Sequence, residues 1–157
     1  MKITITTGTG EGPTPLAAFD MALLDAGVAN YNLIYLSSII PPNSVIERKC
    51  YETPADEYGH RLYLVMACHR VDEPGTSAWA GIGWTQDSTS GKGLFVELHG
   101  GSQQEVEQAI DQTLNSMIAS RSLPYGPIQS EVIGKTCVDK PVCALVLAVY
   151  KSEGWDD

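Results

Sequence analysis

Two adjacent serines, Ser37 and Ser38, end an apolar, β-rich run, and two isoleucines and the pair Pro41-Pro42 follow them. A strand that ends on serine before rigid prolines can hold the Ser38 hydroxyl against the carbonyl of Ser37. Attack on that carbonyl would turn the amide into an ester, and β-elimination followed by hydrolysis would leave a pyruvoyl group at residue 38. Serines at a strand end are also common turn residues, and the dipeptide alone does not separate the two interpretations.

Two further residues could assist such chemistry. Glu97 lies between Val96 and Leu98 in the apolar middle of a predicted strand, where burial would raise its pKa toward the range of a general acid. Strand alternation could instead place Glu97 on the solvent face. Asn32 precedes Ser38 by six residues on the same predicted strand, so both side chains should project to one face. Asn32 could equally be a polar residue that caps a turn at a strand end.

The hydrophobic patterns predict the elements that position these residues. The first helix has Thr14 as N-cap and Gly27 as C-cap, and its apolar face carries Leu16, Phe19, Leu23 and Leu24. The second starts with a capping box, Ser102 to Glu105, and runs to about Arg121. Residues 8–13 and 43–59 are predicted to be loops. The predicted strands cover residues 2–7, 30–38, 61–71, 77–85, 93–99, 129–138 and 142–151. Two helices and about seven strands indicate an α+β sandwich in which each helix covers an open sheet face.

Composition limits the possible functions. A chain of 157 residues with 43% hydrophobic and 18% charged residues is most simply one globular domain. The formal charge of −9 argues against nucleic-acid binding and is compatible with a cationic small substrate, although an acidic surface also aids solubility. No apolar run approaches the roughly 20 residues of a membrane span, and no signal-peptide core is present at the start.

The cysteines and histidines do not form a recognisable ligand pattern. The four cysteines are widely spaced and form no C-x-x-C pair, which is typical of reduced thiols in a cytoplasmic protein. His60, His69 and His99 show no metal-ligand spacing to one another or to the cysteines, so we expect no metal site.

Several segments together resemble the pyruvoyl-dependent arginine decarboxylase family. The resemblance runs from about Thr6 to Trp155 and is strongest over the first 42 residues. The segments that carry it are Glu11-Gly-Pro-Thr-Pro-Leu-Ala-Ala-Phe-Asp20, Ala22-Leu-Leu-Asp-Ala-Gly27, Asn32-Leu-Ile-Tyr-Leu-Ser-Ser-Ile-Ile-Pro-Pro42, Asp72-Glu-Pro-Gly75, Gly93-Leu-Phe-Val-Glu-Leu-His-Gly100 and Cys143-Ala-Leu-Val-Leu-Ala-Val-Tyr150.

The resemblance implies a fold, a cofactor and a reaction. The fold would be a four-layer αββα sandwich that assembles as a homotrimer. Self-cleavage would divide the single domain, residues 1–157, into a β chain of residues 1–37 and an α chain of residues 38–157, which begins with a pyruvoyl group derived from Ser38. The group would form a Schiff base with L-arginine and supply the electron sink for its conversion to agmatine and CO2.

The resemblance also implies roles for individual residues. Asn32 would support self-cleavage by stabilising the oxyanion, and Glu97 would protonate the substrate carbon after CO2 leaves. Asp20 would grip the planar guanidinium, with the carboxylate freed at Ser37 as a second anionic contact. The apolar walls would be formed by Leu16, Phe19, Ile39 and Ile40.

Two departures from the family pattern, Met21 directly after Asp20 and His99 two residues after Glu97, bear on the substrate rather than on the chemistry. One alternative is the same reaction on another amino acid. A second alternative is a trimeric binding protein for a cationic ligand that does not process itself.

Overall fold

In a computed structural model of the protein, residues 1–156 are described, and they form nine strands, two α-helices and one 3₁₀ helix, Ala55–Glu57. The α-helices are α1 (Pro15–Ala26) and α2 (Gln103–Ala119). The strands are β1 (Lys2–Glu11), β2 (Asn32–Tyr35), β3 (Ile39–Ile40), β4 (Val45–Arg48), β5 (Arg61–Val71), β6 (Ser77–Gln86), β7 (Gly93–Gly100), β8 (Gln129–Thr136) and β9 (Val142–Glu153). Neither α-helix in this part of the chain is long and apolar enough to cross a membrane.

The strands build two sheets, and the layers follow from what each face buries. The first sheet has the order β2-β5-β9-β1-β4 and the second the order β3-β7-β6-β8. One buried cluster lies between the sheets and joins residues such as Ile5 and Val65 of the first to Ile82 and Phe95 of the second. A second cluster lies under α1 and a third under α2. The predicted α+β sandwich with the layer order αββα is therefore confirmed.

Helix α1 begins and ends where its caps predict. The Thr14 side chain accepts a hydrogen bond from the Ala17 N–H, and Gly27 adopts a left-handed φ of 84°. The predicted apolar face, however, is only partly the buried one. Leu23 is buried, but Leu16 is 67% exposed and Leu24 51% exposed. The residues that pack on the sheet are mostly alanines, which bring the helix close to it.

That close packing explains why residues 8–11 are not a loop. Strand β1 continues through Glu11 and pairs with β9 as far as Val142. A Cβ at Gly8 would lie 2.0 Å from the carbonyl oxygen of Ala22, and a Cβ at Gly10 would lie 2.3 Å from that of Ala18. These glycines are thus required by the approach of α1 to the strand rather than by a turn, and the loop prediction was wrong there.

Helix α2 buries Val106, Ile110 and Leu114 as its pattern predicts. Its capping differs slightly from the prediction. Ser102 accepts from the Glu105 N–H at 3.2 Å, but the Glu105 carboxylate accepts from the N–H of Gly101, one residue before the helix cap. The helix start is stabilised from both sides, without the reciprocal pair of a standard capping box.

The region around the serines differs most from the prediction. The predicted strand 30–38 ends at Tyr35, because the chain then leaves the first sheet and joins the second at β3. Residues 36–38 form this crossover. The segment 43–59, predicted to be a loop, contains β4, which lies parallel to β1 with Val45 opposite Lys2. These two short strands, β3 and β4, raise the count from about seven to nine.

Candidate active site

Ser38 lies in a tight turn between the two sheets. The Ile39 N–H donates to the Ser37 carbonyl at 2.9 Å, which closes a three-residue turn centred on Ser38. The Ser38 carbonyl accepts from the Phe95 N–H at 2.9 Å, and the Ile39 carbonyl accepts from the Tyr150 hydroxyl at 2.8 Å. The turn is thus anchored to both sheets, and a backbone N–H already polarises the carbonyl that the Ser38 hydroxyl would attack.

Glu97 receives the Ser38 hydroxyl. The Ser38 Oγ lies 2.5 Å from Oε1 and 2.7 Å from Oε2 of Glu97, although the two residues are 59 positions apart in sequence. Glu97 lies two residues after the buried Phe95 on β7, so the two side chains share one face of the strand. The Glu97 side chain therefore enters the space between the sheets. Burial raises the pKa of Glu97, while the Ser38 hydrogen bond opposes that rise. Of the two orientations open to Glu97, the structure shows the inward one.

The surroundings of this pair are apolar. Ile82 lies opposite Glu97 on β6, and Phe95 packs edge-to-face against Tyr150 at 6.2 Å between ring centroids. Burial and the charge of Glu97 raise the pKa of Tyr150, so its hydroxyl stays a hydrogen-bond donor. The Glu97 carboxylate is half-buried, so its ionised form is less well solvated there than on an open surface.

A cleft of about 320 Å³ opens beside the turn, and its walls are mostly apolar. Ile39 and Ile40, predicted as walls, both line it. Lys92 and Arg121 line it as well, and their positive charges would repel a guanidinium group. The cleft therefore suits an apolar part of a ligand better than a cationic end.

Asn32 does not share a strand with Ser38. It starts β2, where its Nδ2 donates to the Gly59 carbonyl at 2.8 Å, whereas Ser38 lies beyond the end of that strand. An extended span of six residues covers up to about 20 Å. The prediction that one strand presents both side chains was wrong, because the chain changes sheets after Tyr35.

Asp20, Phe19 and Leu16 lie in a different layer from Ser38. Helix α1 packs on the outer face of the first sheet, and the Phe19 ring stacks against the Arg70 guanidinium at 4.1 Å. The crossover that carries Ser38 is held by a hydrogen bond from the Leu36 N–H to the carbonyl of Leu64. Leu64 lies on β5 six residues before Arg70, which contacts Phe19. That offset corresponds to roughly 20 Å along the strand, and the sheet separates the two groups. One chain therefore brings Ser38 to Glu97 but not to Asp20.

The structure brings together two histidines, His69 and His99, whose contact the sequence does not predict. The rings of His69 on β5 and His99 on β7 stack with centroids 4.9 Å apart, and Nδ1 of His69 lies 2.7 Å from the Gly100 carbonyl oxygen. The residues are 30 positions apart and belong to different sheets, so no local spacing connects them. The available signal was His99 at the second position after Glu97, which places both side chains on one face of the strand.

The geometry fits a pyruvoyl group derived from Ser38. The serine hydroxyl is held by a half-buried carboxylate that can take its proton, and the preceding carbonyl already accepts a backbone N–H. Partial burial between the sheets raises the pKa of Glu97, so it stays protonated at a higher pH than an exposed carboxyl. The same site can thus first move a proton off a hydroxyl and later give one to carbon.

Comparison with known proteins gives a consistent result. The family model described as pyruvoyl-dependent arginine decarboxylase matches residues 2–153. A protein of that name from Thermococcus kodakarensis is 32% identical over 146 residues, which cover 92% of this chain and 91% of the relative. One from Methanocaldococcus jannaschii is 32% identical over 148 residues, 93% of this chain and 87% of the relative. With a match over nearly its whole length and the serine–glutamate pair in place, this chain belongs to the pyruvoyl-dependent arginine decarboxylase family.

Proposed function

We propose that this chain cuts itself between Ser37 and Ser38 and then decarboxylates L-arginine to agmatine and CO2 with the pyruvoyl group formed at residue 38. The observation that carries the proposal is the pair of hydrogen bonds from the Ser38 hydroxyl to both oxygens of Glu97, inside a chain of this family. Residues 1–37 and 38–157 are the two proposed products of the cleavage.

Self-cleavage uses groups that are already in contact. Glu97 takes the hydroxyl proton of Ser38, and Oγ attacks the carbonyl carbon of Ser37 while the Ile39 N–H stabilises the oxyanion. Glu97 passes that proton to the Ser38 nitrogen as the peptide C–N bond breaks, and an ester replaces the amide. Loss of the Cα proton and cleavage of the Cβ–Oγ bond then release the Ser37 carboxylate. Water replaces the remaining amine, which leaves as ammonia, so one water is consumed for each ketone formed.

Decarboxylation then depends on Glu97 as an acid. The pyruvoyl carbonyl supplies the electron sink that the loss of CO2 requires. Glu97 donates its proton to the substrate carbon that CO2 has left, and burial favours the protonated form that this step needs. The apolar side chains around it limit competing proton exchange with bulk water.

The guanidinium end of the substrate requires a carboxylate other than Glu97, and Asp20 of the same chain lies in a different layer from Ser38. We assign this role to Asp20 of a neighbouring copy, with the carboxylate freed at Ser37 as a further anionic contact and Leu16 and Phe19 as walls. Leu16, Met21, Tyr35 and Ile39 expose between 48% and 67% of their surfaces, as apolar residues at a subunit interface would in an isolated chain. A homotrimer with sites shared between neighbours satisfies both observations.

The cysteine pattern supports a cytoplasmic location. The four cysteines are widely spaced in the sequence and form no C-x-x-C pair, which is typical of reduced thiols.

The substrate is tested by incubating the purified protein with carboxyl-labelled L-arginine, L-lysine, L-ornithine or L-aspartate and measuring released CO2 and the amine product. We expect CO2 and agmatine from arginine, little from the other three, and none from the Ser38→Ala variant. Preferred release from lysine or ornithine would assign the same chemistry to another amino acid. Arginine or agmatine binding by an uncleaved chain without CO2 release would support a binding protein instead.

A further inference from the structure

Three alternate residues of β7 form a column from the core to the solvent. Phe95 is fully buried, Glu97 is half-buried and His99 is exposed, and all three side chains point between the sheets. The column places an imidazole between Glu97 and the surrounding water.

The two residues that lie opposite Glu97 and His99 on β6 carry no titratable group. Ile82 lies opposite Glu97 on β6, and Ala80 lies opposite His99. On the side of the turn and of β9, Glu97 faces the hydroxyls of Ser38 and Tyr150, and the Tyr150 hydroxyl is engaged with the Ile39 carbonyl. The titratable group that the first sheet adds at the outer end of the column is His69 on β5.

His69 has a defined tautomer and a defined position relative to His99. Because a carbonyl oxygen can only accept, the 2.7 Å contact between Nδ1 of His69 and Gly100 fixes the Nδ1–H tautomer of neutral His69. The ring planes of His69 and His99 are inclined by 40°, with centroids 4.9 Å apart. The pair is thus ordered at the point where the column meets solvent.

Decarboxylation consumes a proton in every cycle, which creates a need for this pair. The substrate loses its carboxylate as CO2 and gains hydrogen on the same carbon, so Glu97 ends each cycle ionised. It cannot react again until a proton returns from solvent to its half-buried carboxyl group. This need rests on the proposed function, in which Glu97 is the donor.

We propose that His99, positioned by His69, returns the proton to Glu97 after each decarboxylation. Residues two apart on a strand are separated by roughly 7 Å, a gap that one bridging water can span between a carboxylate and an imidazole. Imidazole changes its charge near neutral pH, so it can both release a proton inward and regain one from water. In this relay Glu97 is the catalytic residue, His99 the proton carrier and His69 a positioning residue.

The test compares His99→Asn and His99→Gln with His60→Asn, a matched control that removes a histidine far from the column. The fraction of cleaved chain is measured first, and CO2 release from arginine is expressed per cleaved chain in dilute, non-protonating buffer. We expect both His99 variants to be cleaved normally and to lose about tenfold or more in kcat with little change in KM. Added imidazole should restore their turnover and leave the wild type and His60→Asn unchanged. His69→Asn should show a smaller loss with the same response to imidazole.

Two results would overturn the relay. One is a cleaved His99 variant that turns over at the wild-type rate in dilute buffer. The other is a loss that imidazole does not restore, since this would indicate a structural role for His99. A wild-type protein that releases no CO2 from arginine would instead contradict the proposed function, so the two failures are distinguishable.

Discussion

At the scale of single residues, we propose that one carboxylate, Glu97, serves both self-cleavage and decarboxylation. Glu97 accepts the Ser38 hydroxyl at 2.5 and 2.7 Å in the uncleaved chain, and burial between the sheets raises its pKa. The hydrogen bond to Ser38 opposes that rise. When cleavage converts Ser38 and removes its hydroxyl, burial acts without this opposition, and the carboxyl becomes a better acid for the later reaction.

This argument predicts the effect of Glu97→Gln. Only the protonated carboxyl donates to carbon, so wild-type kcat should be highest below the raised pKa of Glu97 and fall as the pH rises through it. The amide can neither take the Ser38 proton nor donate one to carbon, so Glu97→Gln should cleave itself more slowly. In the fraction that is cleaved, kcat should fall by about a hundredfold or more, and the decrease of kcat at high pH should disappear. KM should change little. The measurement is the pH dependence of CO2 release.

The control is Glu107→Gln, which alters an exposed carboxylate on α2 that bonds to Gln103. It should keep the wild-type profile. If Glu97→Gln kept the wild-type kcat and the same decrease of kcat at high pH, Glu97 would not be the proton donor.

At the scale of elements, the glycines of β1 decide how α1 is placed. The carbonyl oxygen of Ala18 lies 2.3 Å from where a Cβ at Gly10 would be, so the helix backbone rests on the strand backbone. This contact fixes the helix that carries Phe19 and Asp20.

Gly10→Ala should therefore destabilise the fold, because α1 must move away from β1 to admit a methyl group. Overpacking of this kind typically costs about 1–3 kcal/mol in the free energy of unfolding. Gly101→Ala is the matched control, since a Cβ there meets nothing nearer than 3.7 Å. Urea unfolding of both variants measures the difference. Equal midpoints for the two would show that the helix can shift without cost.

The elements that the sequence predicts are those with a long pattern or a defined cap. Helix α1 follows from Thr14 and Gly27, and β5 and β9 follow from long apolar runs. The two-residue strand β3 has no period to detect, and β4 exists only because it pairs with β1, more than 40 residues away. Whether a glycine makes a turn or a close approach depends on the partner helix, which local sequence does not contain.

Some parts of the site could be predicted from the sequence and others could not. Family resemblance and local context single out Ser38 and Glu97, and the structure brings them into contact. The pairing of His69 with His99 depends on how the two sheets stack, and it was not predicted. The separation of Asp20 from Ser38 depends on the layer order, which residue spacing along one chain does not give.

At the scale of the whole molecule, the separation of Asp20 from Ser38 supports the proposal that another copy completes the site. Asp20 lies on α1 outside the first sheet, while Ser38 and Glu97 lie between the sheets. A guanidinium bound to Asp20 of the same chain could not reach the serine–glutamate pair through the sheet. Sites built from two neighbours in a ring remove this conflict.

Shared sites predict complementation between inactive variants. Asp20→Ala and Ser38→Ala should each be inactive alone. Co-expressed in equal amounts, they should recover activity at roughly a quarter of the sites, because a site needs one intact Asp20 and one intact Ser38 from different chains drawn at random. The measurement is CO2 release per trimer, with assembly checked by native mass spectrometry. Pairing Asp20→Ala with the double variant Asp20→Ala/Ser38→Ala is the control and should recover nothing. Mixed assemblies without activity would show that each site is built within one chain.

The intact mass of the purified wild-type protein under denaturing conditions tests the central claim most directly. We predict two polypeptides, residues 1–37 with a free carboxylate at Ser37 and residues 38–157, the second lighter by one ammonia than a chain that begins with serine. The Ser38→Ala variant should remain one chain. A wild-type protein that is recovered as a single unbroken chain and still releases CO2 from arginine would contradict the account.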